Sequence, residues 1–175
     1  MDFIFNSLIY SIGIIFLTTS FSKIIHYKKS QVQITQYKIL PRKLTPVLYW
    51  LLLLAEVMIV ISFMFNIDRA VGMVLAMVLL LIYSAAIGIN ILKKNTEISC
   101  GCGGLVEKGG ISRLTIARNV LLITIIGVLS IHADSISYSM KMNEIVFSLV
   151  LGINIALLIG ILNDKIAIVH SWYKI

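Results

Sequence analysis

Uninterrupted apolar runs of about twenty residues constrain this chain most, because a helix of that length crosses the hydrocarbon core of a bilayer. Five runs are legible, at roughly 3–22, 47–65, 70–92, 114–131 and 145–162. Backbone polar groups in lipid have to be satisfied within the segment, so the runs predict helices. The composition agrees: 59% of residues are hydrophobic and 13% are charged, where a soluble domain carries about a quarter charged. The expected fold class is all-α, a polytopic membrane bundle of five transmembrane helices forming one integral-membrane domain over residues 1–175. A glycine-rich Cys-Gly-Cys loop falls between helices three and four. No stretch of polar sequence is long enough for an aqueous domain.

The first run is expected to stay as a helix. Only Asp2 precedes it, where a cleavable signal wants a basic start, and no Ala-x-Ala-like site follows at Thr18-Thr19-Ser20-Phe21. The net charge of +7 does not point to nucleic acid, because the basic residues are sorted by loop. Thirteen of the fifteen Lys and Arg fall on one side of the predicted topology, and only Arg69 and Lys141 on the other. The positive-inside rule then places the N-terminus outside and the C-terminus and cysteine loop in the cytoplasm, in a multi-pass protein of the cell membrane.

Between the first two runs, Val32, Ile34, Tyr37, Ile39 and Leu40 alternate loosely with polar residues. Two readings stand: a short helix lying on the lipid interface, or a solvated connector. Pro41 and Pro46 punctuate the entry to the second run, with Tyr49 and Trp50 where interfacial aromatics are expected. A turn at Asn66-Ile67-Asp68 predicts an antiparallel hairpin of the second and third helices. Ser112 is a candidate N-cap for the fourth helix. The methionines and remaining aromatics read as packing or lipid-facing residues. No internal repeat is evident.

Chemistry is concentrated at Cys100-Gly101-Cys102-Gly103-Gly104, which holds the only two cysteines in the chain. A Cys-x-Cys pair can close only a small, constrained disulfide ring, and strain raises its reduction potential. Such a pair suits electron exchange better than stapling. Gly101 eases the turn by permitting positive φ, and Gly104 keeps the loop open to a partner. Lys93, Lys94, Lys108 and Arg113, with the start of the fourth helix, would favour thiolate. Against this, a cysteine in a membrane protein is often just a small apolar residue. Structural zinc wants four ligands, and His26, His132 and His170 are scattered, so a metal would need a site shared across a homo-oligomer. No Cys-x-x-Cys-His haem motif occurs.

Glu56 lies near the middle of the second run. An intramembrane carboxylate is costly and marks a functional hypothesis. Its candidate partners are Lys23, Arg118, Asn119 and Asn154. It is either a polar clamp between helices or a proton carrier coupled to thiol exchange. Arg118 and Asn119 open the fourth run just after the cysteine loop. Arg118 either snorkels to the headgroups or orients the loop and stabilises a thiolate.

These pieces resemble the MauE branch of the DoxX-like membrane proteins, named for methylamine utilisation. The matching residues are Phe21-Ser22-Lys23, Tyr37-Lys38-Ile39-Leu40-Pro41, Ala55-Glu56, Cys100-Gly101-Cys102-Gly103-Gly104 and Ala117-Arg118-Asn119. The family typically has a bulky residue where this chain has Gly103, and the final helix and tail carry no matching motif. The resemblance implies a role in maturing disulfide-containing extracytoplasmic proteins beside a thioredoxin-like partner, with the methylamine dehydrogenase small subunit as the client in the name-giving system. That places clients outside, whereas the charge pattern places Cys100 and Cys102 inside.

Three functions compete. The leading expectation is a membrane thiol–disulfide redox component exchanging electrons with a thioredoxin-like protein through a mixed disulfide, an oxidoreductase if it turns over. The second is a non-catalytic assembly or immunity-type membrane protein with structural cysteines. The third is a quinone-linked thiol oxidase, which needs a ring-binding pocket among the helices.

Overall fold

The architecture is that of a computed structural model, which describes residues 2–37, 41–93, 113–131 and, within the last predicted run, 146–147, 150–151 and 153–154. Five α-helices occur among these residues in the order α1 (Asp2–Ile25), α2 (Tyr27–Gln36), α3 (Thr45–Phe65), α4 (Arg69–Leu92) and α5 (Arg113–Ile131), with a 3₁₀ turn at Arg42–Leu44 before α3. Among the described residues, three helices are long and apolar enough to cross a membrane: Ile4–Ile25, Thr45–Phe65 and Arg69–Leu92. The fourth apolar helix is shorter, Thr115–Ile131. The described residues of the fifth run are helical and exposed. The Cys-Gly-Cys loop, Ser112, the outer loop from His132 and the tail lie outside the described residues.

The burial pattern shows what solvent these helices were built for. Along α3, Leu51, Leu54, Met58, Ile61 and Phe65 are exposed, while Leu52, Leu53, Glu56, Ile59, Ser62 and Phe63 are buried. On α4 the exposed stripe is Val71, Val74, Val78, Leu81 and Ile82. Stripes of large apolar side chains this long fit acyl chains. In α1 the first half is buried almost throughout, Ile9, Tyr10, Ile12 and Phe16 included, and the second half inverts the pattern of a soluble helix. Asn6, Ser7, Ser11, Thr19, Ser20 and Lys23 are buried, and Leu17, Phe21, Ile24 and Ile25 point outward. The hydroxyls return hydrogen bonds to their own helix, Ser11 to Ser7 O at 2.6 Å and Thr19 and Ser20 to Phe16 O at 2.8 Å. Small side chains then let the backbones approach, the usual basis of helix association in lipid.

Helix α1 packs on α3, α3 on α4, and α4 on α5. One core joins all four through Ile9, Phe16, Ile59, Phe63, Met73, Leu80, Leu122 and Ile126. The expected α3–α4 hairpin is present. Asn66 and Asp68 take positive φ at 58° and 43°, a conformation that Asn and Asp tolerate better than other L-residues. The turn is tied to α1 by Arg69, which is buried and donates to Asn66 Oδ1 through Nε at 2.6 Å and to Asn6 Oδ1 at 2.7 Å. A residue that reads as a loop charge thus lies inside the bundle.

The connector at the other end does form a helix. Its inward face is polar, however: Ser30 and Gln33 of α2 are buried, and Val32 is exposed. Tyr37 follows inside a small cluster with Ile87, Ile91 and Ile116. The end of α2, the end of α4 and the start of α5 therefore meet at one end of the bundle. Trp50 is exposed, as expected of an interfacial aromatic, but Tyr49 is almost wholly buried. The two rings meet edge-on at 5.6 Å, and Tyr27 joins Tyr49 at 5.0 Å.

Candidate functional site

Glu56 lies inside the bundle, 1% exposed, against Lys23 of α1, 3% exposed. Their separation follows from helix direction. Side chains lean toward the N-terminus of their own helix, and α1 and α3 run in opposite senses across the bundle. Lys23, near the end of α1, therefore reaches inward as Glu56 reaches back toward the α1 end. The Lys23 ammonium donates to Glu56 Oε1 at 2.5 Å and to Tyr83 Oη at 2.7 Å. Tyr83, from α4, donates its hydroxyl to the same Glu56 oxygen at 2.6 Å. Three helices are thus pinned at one point. Tyr49 adds a bond to the backbone, its hydroxyl donating to Lys23 O at 2.9 Å.

The two carboxylate oxygens of Glu56 are treated unequally. Oε1 accepts two short, charge-reinforced hydrogen bonds. Oε2 has Ser20 Oγ at 3.5 Å, but the one hydrogen of that hydroxyl has a better acceptor in Phe16 O at 2.8 Å. A cavity of about 30 Å³ is lined by Glu56, Tyr83, Thr19, Arg118 and Asn119, with Ile12, Ile15, Phe16, Leu80 and Leu122 as its apolar walls. That volume has room for about two water molecules.

Asn119 of α5 is 1% exposed. Its Oδ1 accepts from an Arg118 guanidinium nitrogen at 3.1 Å. Its Nδ2 is buried and, among the described residues, has no acceptor. A buried amide donor in that state is unusual in a folded protein.

The structure therefore brings together three sequence-predicted residues, Glu56, Arg118 and Asn119, around one cavity. Of the partners expected for Glu56, Lys23 makes the ion pair. Asn154 is exposed and returns a hydrogen bond to Val150 O at 2.8 Å. Cys100, Gly101, Cys102 and Gly104 lie outside the described residues. Tyr83 is the member sequence reasoning missed, having been grouped with packing aromatics. Its signal was a phenol deep within an apolar span, where a hydroxyl needs a partner. Among the described residues, no group of His, Cys, Asp and Glu is arranged to hold a metal ion.

Against this geometry, a family model described as "Methylamine utilisation protein MauE" matches residues 1–132. That range takes in α1 to α5, the cavity and the Cys-Gly-Cys segment. The curated "Methylamine utilization protein MauE" of Paracoccus denitrificans is 27% identical over 111 residues, 63% of this chain and 60% of that relative. The alignment thus spans about three-fifths of the relative's length. No solved structure matches.

Proposed function

The chain belongs to the MauE family, and from that premise we propose that it is a membrane thiol–disulfide redox component. In this reading Cys100 and Cys102 exchange with a thioredoxin-like partner and assist maturation of disulfide-containing extracytoplasmic proteins, with methylamine utilisation as the family's label. The observation that carries the reading is the cavity shared by Glu56, Arg118 and Asn119. Arg118 and Asn119 lie in the second turn of α5, the helix that follows the cysteine segment in sequence, so the cavity joins that helix to the buried carboxylate of α3. A thiolate of one cysteine attacks the partner's disulfide, a mixed disulfide forms, and the partner's departing thiolate takes up a proton. Attack by the second cysteine on the mixed disulfide releases the reduced partner and leaves Cys100–Cys102 oxidised. Glu56, Lys23 and Tyr83 are positioning and proton-holding groups in this scheme.

In this reading the charge distribution puts the N-terminus outside and the cysteine segment in the cytoplasm, and a relay across the membrane carries the exchange to the extracytoplasmic clients. Labelling intact cells with a membrane-impermeant thiol reagent, before and after reduction and again after permeabilisation, tests the reading. Redox-dependent labelling of both cysteines, appearing only after permeabilisation, is expected. Cysteines that stay unlabelled after reduction and permeabilisation would contradict it.

A second reading has its own support. The Lys23–Glu56–Tyr83 ring joins three helices, as a structural clamp in a non-catalytic assembly protein would. A Cys100→Ser/Cys102→Ser variant that retains full function in cells would favour it.

A further inference from the structure

The cavity beside Glu56 presents two polar demands of opposite kind, one weakly met and one unmet. Glu56 Oε2 is an acceptor whose nearest donor, Ser20, has its hydrogen committed to Phe16 O. Asn119 Nδ2 is a buried donor with no acceptor among the described residues. Both residues line the same space, and the rest of the wall is mostly aliphatic or aromatic. Leaving either group unmet in a low-dielectric interior is costly.

The mixed demand selects the ligand's chemistry. A carbonyl would satisfy Asn119 but would turn a lone pair toward the carboxylate. An anion would be drawn by Arg118 and could accept from Asn119, but it has no hydrogen to give Glu56 Oε2. A cation would meet the Asn119 amide hydrogens and the Arg118 guanidinium. A hydroxyl meets both demands, because it donates one hydrogen and accepts another.

We propose that this cavity is a binding site for a single hydroxyl group, which donates to Glu56 Oε2 and accepts from Asn119 Nδ2. The hydroxyl belongs either to water, for which the 30 Å³ has room, or to the head of a hydroxyl-bearing amphiphile entering from the bilayer between the apolar walls. In both cases Glu56 gains a partner through which it can exchange protons without breaking its pair with Lys23. The inference concerns the cavity alone and stands whether or not the cysteines are redox-active.

The test uses the full chain, purified in detergent and reconstituted in lipid nanodiscs with ¹⁵N-labelled asparagine. The Asn119 side-chain amide signal is identified by its loss in Asn119→Leu. Cross-relaxation from that amide to water reads the first source. Organic extraction and mass spectrometry of the same preparation reads the second, as hydroxyl-bearing compound retained per chain. Either a water cross-peak at Asn119, or a co-purifying hydroxyl compound whose retention falls roughly tenfold in Asn119→Leu, is expected, the loss of one buried hydrogen bond being worth about that factor. The first identifies water and the second the amphiphile. An Asn119 amide that contacts neither, or a cavity filled by a compound without a hydroxyl, overturns the proposal. The assignment is repeated with Asn119→Gln, which keeps an amide but carries no label at that side chain, so misfolding of Asn119→Leu cannot decide the water measurement made on the unaltered protein.

Discussion

Removing the Lys23 ammonium or the Glu56 carboxylate, singly and together, probes the ion pair at the centre of the bundle. Both groups are almost fully buried and stand 2.5 Å apart. At an effective dielectric near 20 their gross attraction is about 7 kcal/mol, and much of it is offset by the cost of taking two charges out of water. Glu56→Gln leaves Lys23 buried without a counter-charge, and Lys23→Met does the same to Glu56. Each single change should therefore cost roughly 3–5 kcal/mol, whereas removal of both charges should cost no more than either alone. The double-mutant cycle then gives a coupling of at least about 3 kcal/mol, the high end for residues in direct contact. Unfolding in mixed micelles, followed by loss of helical circular dichroism, measures all four proteins. Raising the salt concentration should leave the coupling unchanged, because a pair this buried is poorly screened. Additive single-mutant effects, with coupling below about 0.5 kcal/mol, would refute the reasoning. Insertion into the membrane should survive in every variant.

Tyr83→Phe deletes a hydroxyl that contacts both charged groups. It should cost about 1.5–3 kcal/mol in the same assay, the range for hydrogen bonds to charged partners. Gly72→Ala should destabilise the α3–α4 hairpin by about 1–3 kcal/mol, since the added carbon would meet Ser62 Cβ at 2.8 Å and a Phe63 ring carbon at 2.9 Å. Gly88→Ala, inside α4 with nothing within 4 Å of the added carbon, should stabilise by about 0.4–1 kcal/mol in the same unfolding measurement, because a helical glycine is replaced without a clash. Reporter fusions after residues 67 and 105 should report opposite sides of the membrane, and the same side for both would break the proposed topology.

Most of the bundle was legible because lipid imposes a simple rule on sequence. Length and apolarity marked the runs that became α1, α3, α4 and α5, and Asn66-Ile67-Asp68 marked the hairpin. What hydropathy does not encode is rotation about the helix axis. In lipid both faces of a helix are apolar or weakly polar, so periodicity cannot separate inside from outside as it does in water. Thus Tyr49 read as interfacial although it is buried, and Arg69 read as a loop charge although it sits in the core. Glu56 was legible as a site residue because a carboxylate in a span always needs an explanation. Its choice of Lys23 over Arg118 was not, because it depends on the opposed lean of side chains on antiparallel helices. Tyr83 was hidden by its aromatic class, and only its hydroxyl's partners reveal its part in the ring.

Trapping the exchange intermediate tests the thiol–disulfide assignment most directly. Single Cys100→Ser and Cys102→Ser variants are expressed in cells at native level, thiols are quenched with acid, and membranes are run on non-reducing gels. Loss of the resolving cysteine should make the mixed disulfide long-lived. The account predicts that at least one variant yields a reducible adduct with a thioredoxin-like protein, absent from the double-serine protein. The absence of any adduct in both variants, with both thiols inert to alkylation in the folded, reduced protein and full function in the double-serine variant, would contradict it.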